Sequence, residues 1–167
     1  CQSEGVLAII DSRTLVVGSK IALDSSPVYV EPNVTGNELV VLCSGKSNTG
    51  SQEDTLPKVI IFNPAEFSVA TQYEFGEMGD LVVDAAVSYN EFAFIALTSG
   101  LYRFDIKVPS VPRKLSNALY DGIIFNYRQR FLMMWNQSTI AIAQPTDARI
   151  LRSIKADFPI ARALGVE

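Results

Sequence analysis

The feature that most constrains this chain is an internal repeat. One segment type recurs four times: an apolar, β-branched strand, a short polar break, and a second strand. The first strands are Val6–Asp11, Val59–Asn63, Leu101–Asp105 and Thr139–Ala143. Their partners run from Leu15 to Leu23, Phe67 to Phe75, Pro112 to Leu115 and Ala148 to Ile154. The break carries Asp11, Asn63 and Asp105 in three copies, with Ala143 at that place in the fourth. Asp and Asn suit such a place because their side chains accept hydrogen bonds from the backbone of the turn that follows.

A second segment type, strand–turn–strand, precedes three of these pairs: Pro27 to Gly45, Leu81 to Gly100 and Gly122 to Asn136. Runs such as Phe92-Ala93-Phe94-Ile95-Ala96-Leu97 are too short for a helix and are rich in aromatic and β-branched residues. Joined, the two types make an antiparallel unit of four strands, A-B-C-D, about 40 residues long, which is the period and strand count of a propeller blade. The repeat thus predicts an all-β fold, a β-propeller of about three and a half blades within one domain. The boundaries are a half blade at 6–23, blades at 26–75, 79–115 and 120–154, and the start of a further blade at 156–167, where Phe158 to Leu164 aligns with Ser26 to Val30. Two closures are open: a four-bladed ring with one incomplete blade, or half of a larger ring. An antiparallel sandwich also uses short strands and frequent turns, but it lacks a four-strand period.

Composition narrows the function. The chain has 167 residues, 48% hydrophobic and 19% charged, the profile of a folded protein. A net charge of −4 with 14 Lys and Arg argues against nucleic-acid binding, which needs a basic face. No apolar run approaches the length of a membrane-spanning helix. Histidine is absent, which removes the commonest general base and zinc ligand. No catalytic or metal motif is present, and no cofactor is predicted.

The run Val6-Leu7-Ala8-Ile9-Ile10-Asp11-Ser12-Arg13-Thr14-Leu15-Val16-Val17, with the later Ser26-Pro27-Val28-Tyr29-Val30, resembles the YVTN-type repeat propellers, and Asn63-Pro64 and Asp105 recur in the same place. The resemblance covers nearly the whole chain but rests on structural punctuation, and it departs at the polar insert 44–58 and at Ala143. It implies an extracytoplasmic location. Cys1-Gln2-Ser3-Glu4 resembles the mature end of a bacterial lipoprotein, which makes Cys1 a candidate lipidation site. Each buried CH₂ of an acyl chain would add about 0.8 kcal/mol of membrane affinity. A membrane is expected as a partner only through that anchor. Cys43, inside an apolar strand, reads as a small core residue.

Propeller ligands commonly sit over the central channel. The D-to-A loops each carry an aspartate near strand A, namely Asp24, Asp80, Asp121 and Asp157. Rotation of the blades would ring one mouth with these carboxylates and attract a cation; the alternative is that each aspartate simply caps its own turn. Tyr120, Phe158 and Trp135 are the aromatic candidates beside that mouth, the alternative being packing between blades. Together these features predict a non-enzymatic module that captures a small-molecule ligand or docks a protein partner. The other classes are a propeller enzyme working with carboxylates and tyrosine, and a structural domain that pairs through open sheet edges.

Overall fold

The computed structural model describes residues 5–23, 26–45, 54–157 and 159–160. They form fourteen strands and no helix: β1 (Val6–Ile10), β2 (Val17–Ala22), β3 (Ser26–Pro32), β4 (Leu39–Ser44), β5 (Lys58–Asn63), β6 (Ser68–Glu74), β7 (Val82–Val87), β8 (Phe92–Leu97), β9 (Gly100–Asp105), β10 (Arg113–Ser116), β11 (Gly122–Asn126), β12 (Phe131–Asn136), β13 (Thr139–Ala143) and β14 (Ile150–Lys155). β3 to β6, β7 to β10 and β11 to β14 make three four-stranded antiparallel meanders, here blades 1, 2 and 3, and β1 pairs only with β2. This is a β-propeller architecture of three full blades and half of another. Residues 156, 157, 159 and 160 form no strand. They are tied to the β12–β13 turn, where Ala156 N–H donates to Ser138 O at 2.9 Å and Ile160 N–H donates to Gln137 O at 2.8 Å. The rest of the segment expected to open a further blade lies outside the described residues.

β4, β5 and β8 are almost wholly apolar because both of their faces are covered. In β4, Val40 and Leu42 turn into the core between blades 1 and 2, while Val41 and Cys43 turn into the core against β1 and β2. β8 repeats this: Ala93, Ile95 and Leu97 face blade 1, and Phe94 and Ala96 face blade 3. A side-chain period of two thus feeds two cores from one strand. Full burial contributes about 1.5–3 kcal/mol for each large side chain. On β12 and β13, Leu132, Met134, Ala141 and Ala143 pack against blade 2. Met133 and Ile142, opposite each other in register, point the other way, where no sheet among the described residues covers them. Cys43 is fully buried, and burial pushes its thiol up to about 11.

The polar punctuation is a repeated turn. Asp11 Oδ1 accepts from Arg13 N at 2.8 Å and Thr14 N at 2.9 Å. Asn63 Oδ1 accepts from Ala65 N at 2.9 Å and Glu66 N at 3.3 Å, and Asp105 Oδ1 from Lys107 N and Val108 N, both at 3.1 Å. The Thr14 and Arg13 N–H groups hold the exposed Asp11 carboxyl below the usual carboxylate range. One correction follows in the fourth copy. Gln144, not Ala143, stands in the place of Asp11: Ala148 N–H donates to Gln144 O at 3.1 Å, as Leu15 N–H donates to Asp11 O at 2.8 Å. Leu15 and Ala148 both adopt positive φ, 58° and 55°. A bulge in each strand pair, at Ile9/Ile10 and at Ile142/Ala143, sets that frame.

The blades are also stitched at their inner strands. The innermost strand of a sheet is an edge with unpaired N–H groups, and side chains of the preceding blade satisfy them. Ser44 Oγ accepts from Val82 N at 3.0 Å, Glu31 Oε2 from Val87 N at 3.2 Å, and Asp84 Oδ2 from Ile123 N at 2.9 Å.

Candidate functional site

At the mouth formed by the D-to-A loops, the residues singled out in the sequence are not equivalent. Asp24 and Phe158 lie outside the described residues, as does Cys1. Asp80 is 5% exposed, and donors from its own turn and from the β8–β9 turn fill its carboxylate. Its Oδ2 accepts from Glu77 N at 2.8 Å and Ser99 Oγ at 2.5 Å, and its Oδ1 from Thr98 Oγ1 at 2.9 Å. Thr98 Oγ1 in turn accepts from Leu81 N at 3.0 Å. Asp121 and Asp157 are exposed. Trp135 is 7% exposed and lies flat on Gly122, its register partner in β11: a Cβ at Gly122 would stand 2.0 Å from Trp135 Cζ2. Tyr120 is half-buried against the core between blades 2 and 3, and that burial raises its phenol pKa. These contacts give Asp80, Trp135 and Tyr120 packing and capping roles.

A denser constellation stands at the opposite mouth, where the A-to-B turns converge. In β3, Tyr29 and Glu31 share one face by the strand period of two, and the Tyr29 hydroxyl donates to Glu31 Oε2. Glu31 Oε2 also takes the Val87 N–H of blade 2. From blade 3, the Tyr127 hydroxyl lies 3.0 Å from the Val87 carbonyl oxygen and 3.3 Å from Glu31 Oε1, so its one proton serves either acceptor. One carboxylate therefore ties three blades together.

Glu91 closes the group. It ends the β7–β8 turn with φ of 62°, where its N–H donates to Ser88 O at 3.0 Å and its carbonyl accepts from Ile106 N at 2.9 Å. Its side chain is 4% exposed, and Oε2 is enclosed without a hydrogen-bond partner among the described residues. A left-handed conformation is unfavourable for glutamate, and a buried carboxylate oxygen without a donor is costlier still. The charge is felt nearby. Burial, then Glu31, then Glu91 push the Tyr127 phenol up to about 12. Burial, then Glu31 and Asp84, raise the Tyr29 phenol as well. Aromatic rings pack beside Tyr127: Phe125, itself in the core between blades 2 and 3, lies 4.7 Å from Tyr127, edge-on, and 5.6 Å from Tyr89, over which the Arg130 guanidinium stands at 5.3 Å.

Carboxylates beside phenols and aromatic faces are the chemistry of organic-cation recognition, by charge-assisted hydrogen bonds and cation–π contact. Among the described residues no group of three or more His, Cys, Asp or Glu is placed to hold a metal ion. The same end of the sheets carries the C-to-D turns, with Leu15 78%, Phe67 55% and Val108 72% exposed.

No protein-family model and no curated protein matches this chain. In three dimensions 627 solved chains match it. One, a WD40 β-propeller from "Crystal Structure of Mitotic Checkpoint Complex", superposes with a TM-score of 0.66 at 11% identity. The match covers 90% of this chain and 44% of that one. The fold is a propeller. At such identity the likeness carries the fold alone, and the chain spans less than half the length of that structure. No helix among the described residues is long and apolar enough to cross a membrane.

Sequence reasoning pointed to the D-to-A mouth and passed over Glu31, Glu91 and Tyr127. Glu91 and Tyr127 fall in segments readable as turns, and nothing in a turn pattern marks a residue as buried. The legible signal was Glu91 itself, a long charged residue ending a tight turn where Gly or Asn is usual.

Proposed function

We propose that this propeller is a non-enzymatic docking module whose partner is a protein, with a basic side chain of the partner entering the mouth between Glu91, Glu31 and Tyr127. The observation that carries the reading is the Glu91 carboxylate, buried, with Oε2 lacking a donor among the described residues, and held in an unfavourable turn. An arginine or lysine of a partner supplies the missing donor, and the exposed Leu15, Phe67 and Val108 give the surrounding face apolar contacts. The propeller neighbour sits in a multi-protein assembly by its title, which fits a docking role. A small ligand at the D-to-A mouth is the weaker reading because Asp80 is saturated by local donors. The extracytoplasmic location, the YVTN-type kinship and the lipid on Cys1 rest on the sequence resemblance.

The test is selection of binders from a random peptide display library, followed by affinities at two salt concentrations. Enriched peptides should carry Arg or Lys. Glu91→Gln should weaken them about 10-fold or more, since a hydrogen bond to a charged group contributes about 1.5–3 kcal/mol. Asp121→Asn should leave them unchanged. Peptides without a basic residue, or binding indifferent to Glu91→Gln, would sink the reading.

A further inference from the structure

A second feature, sharing only Val108 with the docking face just described, lies on the outer part of blade 2. Arg103 of β9 and Arg113 of β10 are directly opposed in the antiparallel register. Side chains at such positions share one face with Cβ atoms about 4.5–5.5 Å apart, where like charges destabilise the pair. Among the described residues neither arginine takes part in an ion pair; the nearby Lys114 pairs with Glu77 instead. Both arginines line an open groove of about 240 Å³ whose walls also include Asp105, Val108, Ser110 and Val111. That is the volume of about eight liquid waters, ample for an oxyanion.

The groove is built rather than incidental. Arg103 is held on two sides, its guanidinium 4.4 Å above the Phe92 ring and donating to the Thr146 carbonyl of blade 3. Asp105, the one acidic residue in the wall, commits Oδ1 to the backbone of Lys107 and Val108. The loop that forms the outer wall carries Pro109 and Pro112, which fix the backbone φ. Pro109 is also pinned to blade 1, since the Tyr73 hydroxyl donates to its carbonyl at 3.0 Å. Arg113 is exposed and supplies free donors, and Ser110 adds a hydroxyl. Planar guanidinium groups match carboxylate and phosphate oxygens in paired hydrogen bonds.

We infer that the groove between Arg103 and Arg113 is a binding site for an oxyanion, a phosphate or carboxylate group, whose charge relieves the opposed arginine pair. Rigid walls reduce the entropy lost on binding.

The test is a titration of the whole chain with inorganic phosphate in 0.15 M salt, followed by ¹⁵N–¹H NMR, with a phosphoserine tripeptide as a second probe. Phosphate should move the amide signals of residues 103–113 and the Arg103 side-chain signal in one saturable process. Arg113→Gln should weaken it at least tenfold. Lys155→Gln, the same loss of charge on the exposed strand β14, should leave it unchanged. A tripeptide that binds more than tenfold tighter than phosphate assigns the anion to a polypeptide, and equal affinities assign it to a free anion. The inference is overturned if phosphate shifts scatter over the surface, if neither probe saturates, or if Arg113→Gln titrates as the parent does.

Discussion

Replacing Glu91 by asparagine should make this protein more stable while abolishing recognition at the mouth. The backbone bonds of Glu91, to Ser88 O and from Ile106 N, do not involve the side chain and survive the change. Its φ of 62° is unfavourable for glutamate by about 1–2 kcal/mol, and asparagine tolerates it well. The enclosed Oε2 lacks a donor among the described residues, a penalty of about 1–3 kcal/mol. Shortening the side chain removes about one buried methylene, near 0.8 kcal/mol. The balance is a gain of about 1–4 kcal/mol, or a midpoint rise of roughly 2–16 °C for a chain of this size. Thermal unfolding by circular dichroism, checked by urea unfolding, measures it. Glu91→Gln should gain less, because it removes the charge and keeps the backbone strain. A Glu91→Asn protein that melts at or below the parent would show that the carboxylate is satisfied and would remove the main support for the docking mouth.

Three other outcomes follow from the contacts. Asp80→Ala leaves the Glu77 N–H and the Thr98 and Ser99 hydroxyls without their acceptor. It should destabilise by about 3–5 kcal/mol in urea unfolding, with Asp80→Asn intermediate. Gly122→Ala drives a methyl into the Trp135 indole. It should lose about 1–3 kcal/mol and shift the emission of this single tryptophan to the red. In alkali, the raised Tyr127 pKa means that the folded state keeps its proton while the unfolded state loses it. That stability is fully present below pH about 10 and is lost as pH rises through about 12. A spectrophotometric titration should show a late tyrosinate that moves to lower pH in Glu31→Gln.

The fold was legible because its signals are local. β4, β5 and β8 read as short apolar runs since each feeds two cores, and Asp11, Asn63 and Asp105 mark turns by hydrogen bonds to residues two and three positions on. The one-residue slip at Ala143 came from a bulge, which changes register without changing composition. The mouth was not legible because it is assembled over long distances: Tyr127 meets Glu31 across 96 positions of chain, and neither belongs to a motif. Trp135 reads as a mouth aromatic from its place at a strand end. Only the register, which sets Gly122 beneath it, reveals a packing wedge. The Arg103–Arg113 pair hides for the same reason, since cross-strand neighbours are invisible until the register is known.

The stacking of the sheets also has a kinetic side. Apart from the Tyr127–Glu31 contact across the mouth, each blade packs on its neighbours, so opening proceeds much as in a one-dimensional array, from the less covered sheets inward. Blade 2 is packed on both faces, whereas blade 3 leaves Met133 and Ile142 uncovered and β1–β2 is half a sheet. Amide hydrogens of β8 and β9 should therefore exchange last, those of β2 and β14 first, and the protection factors should fall in steps rather than smoothly across the molecule. Anything that comes to rest on the uncovered side of blade 3 would be recorded first as slower exchange in β12 and β13.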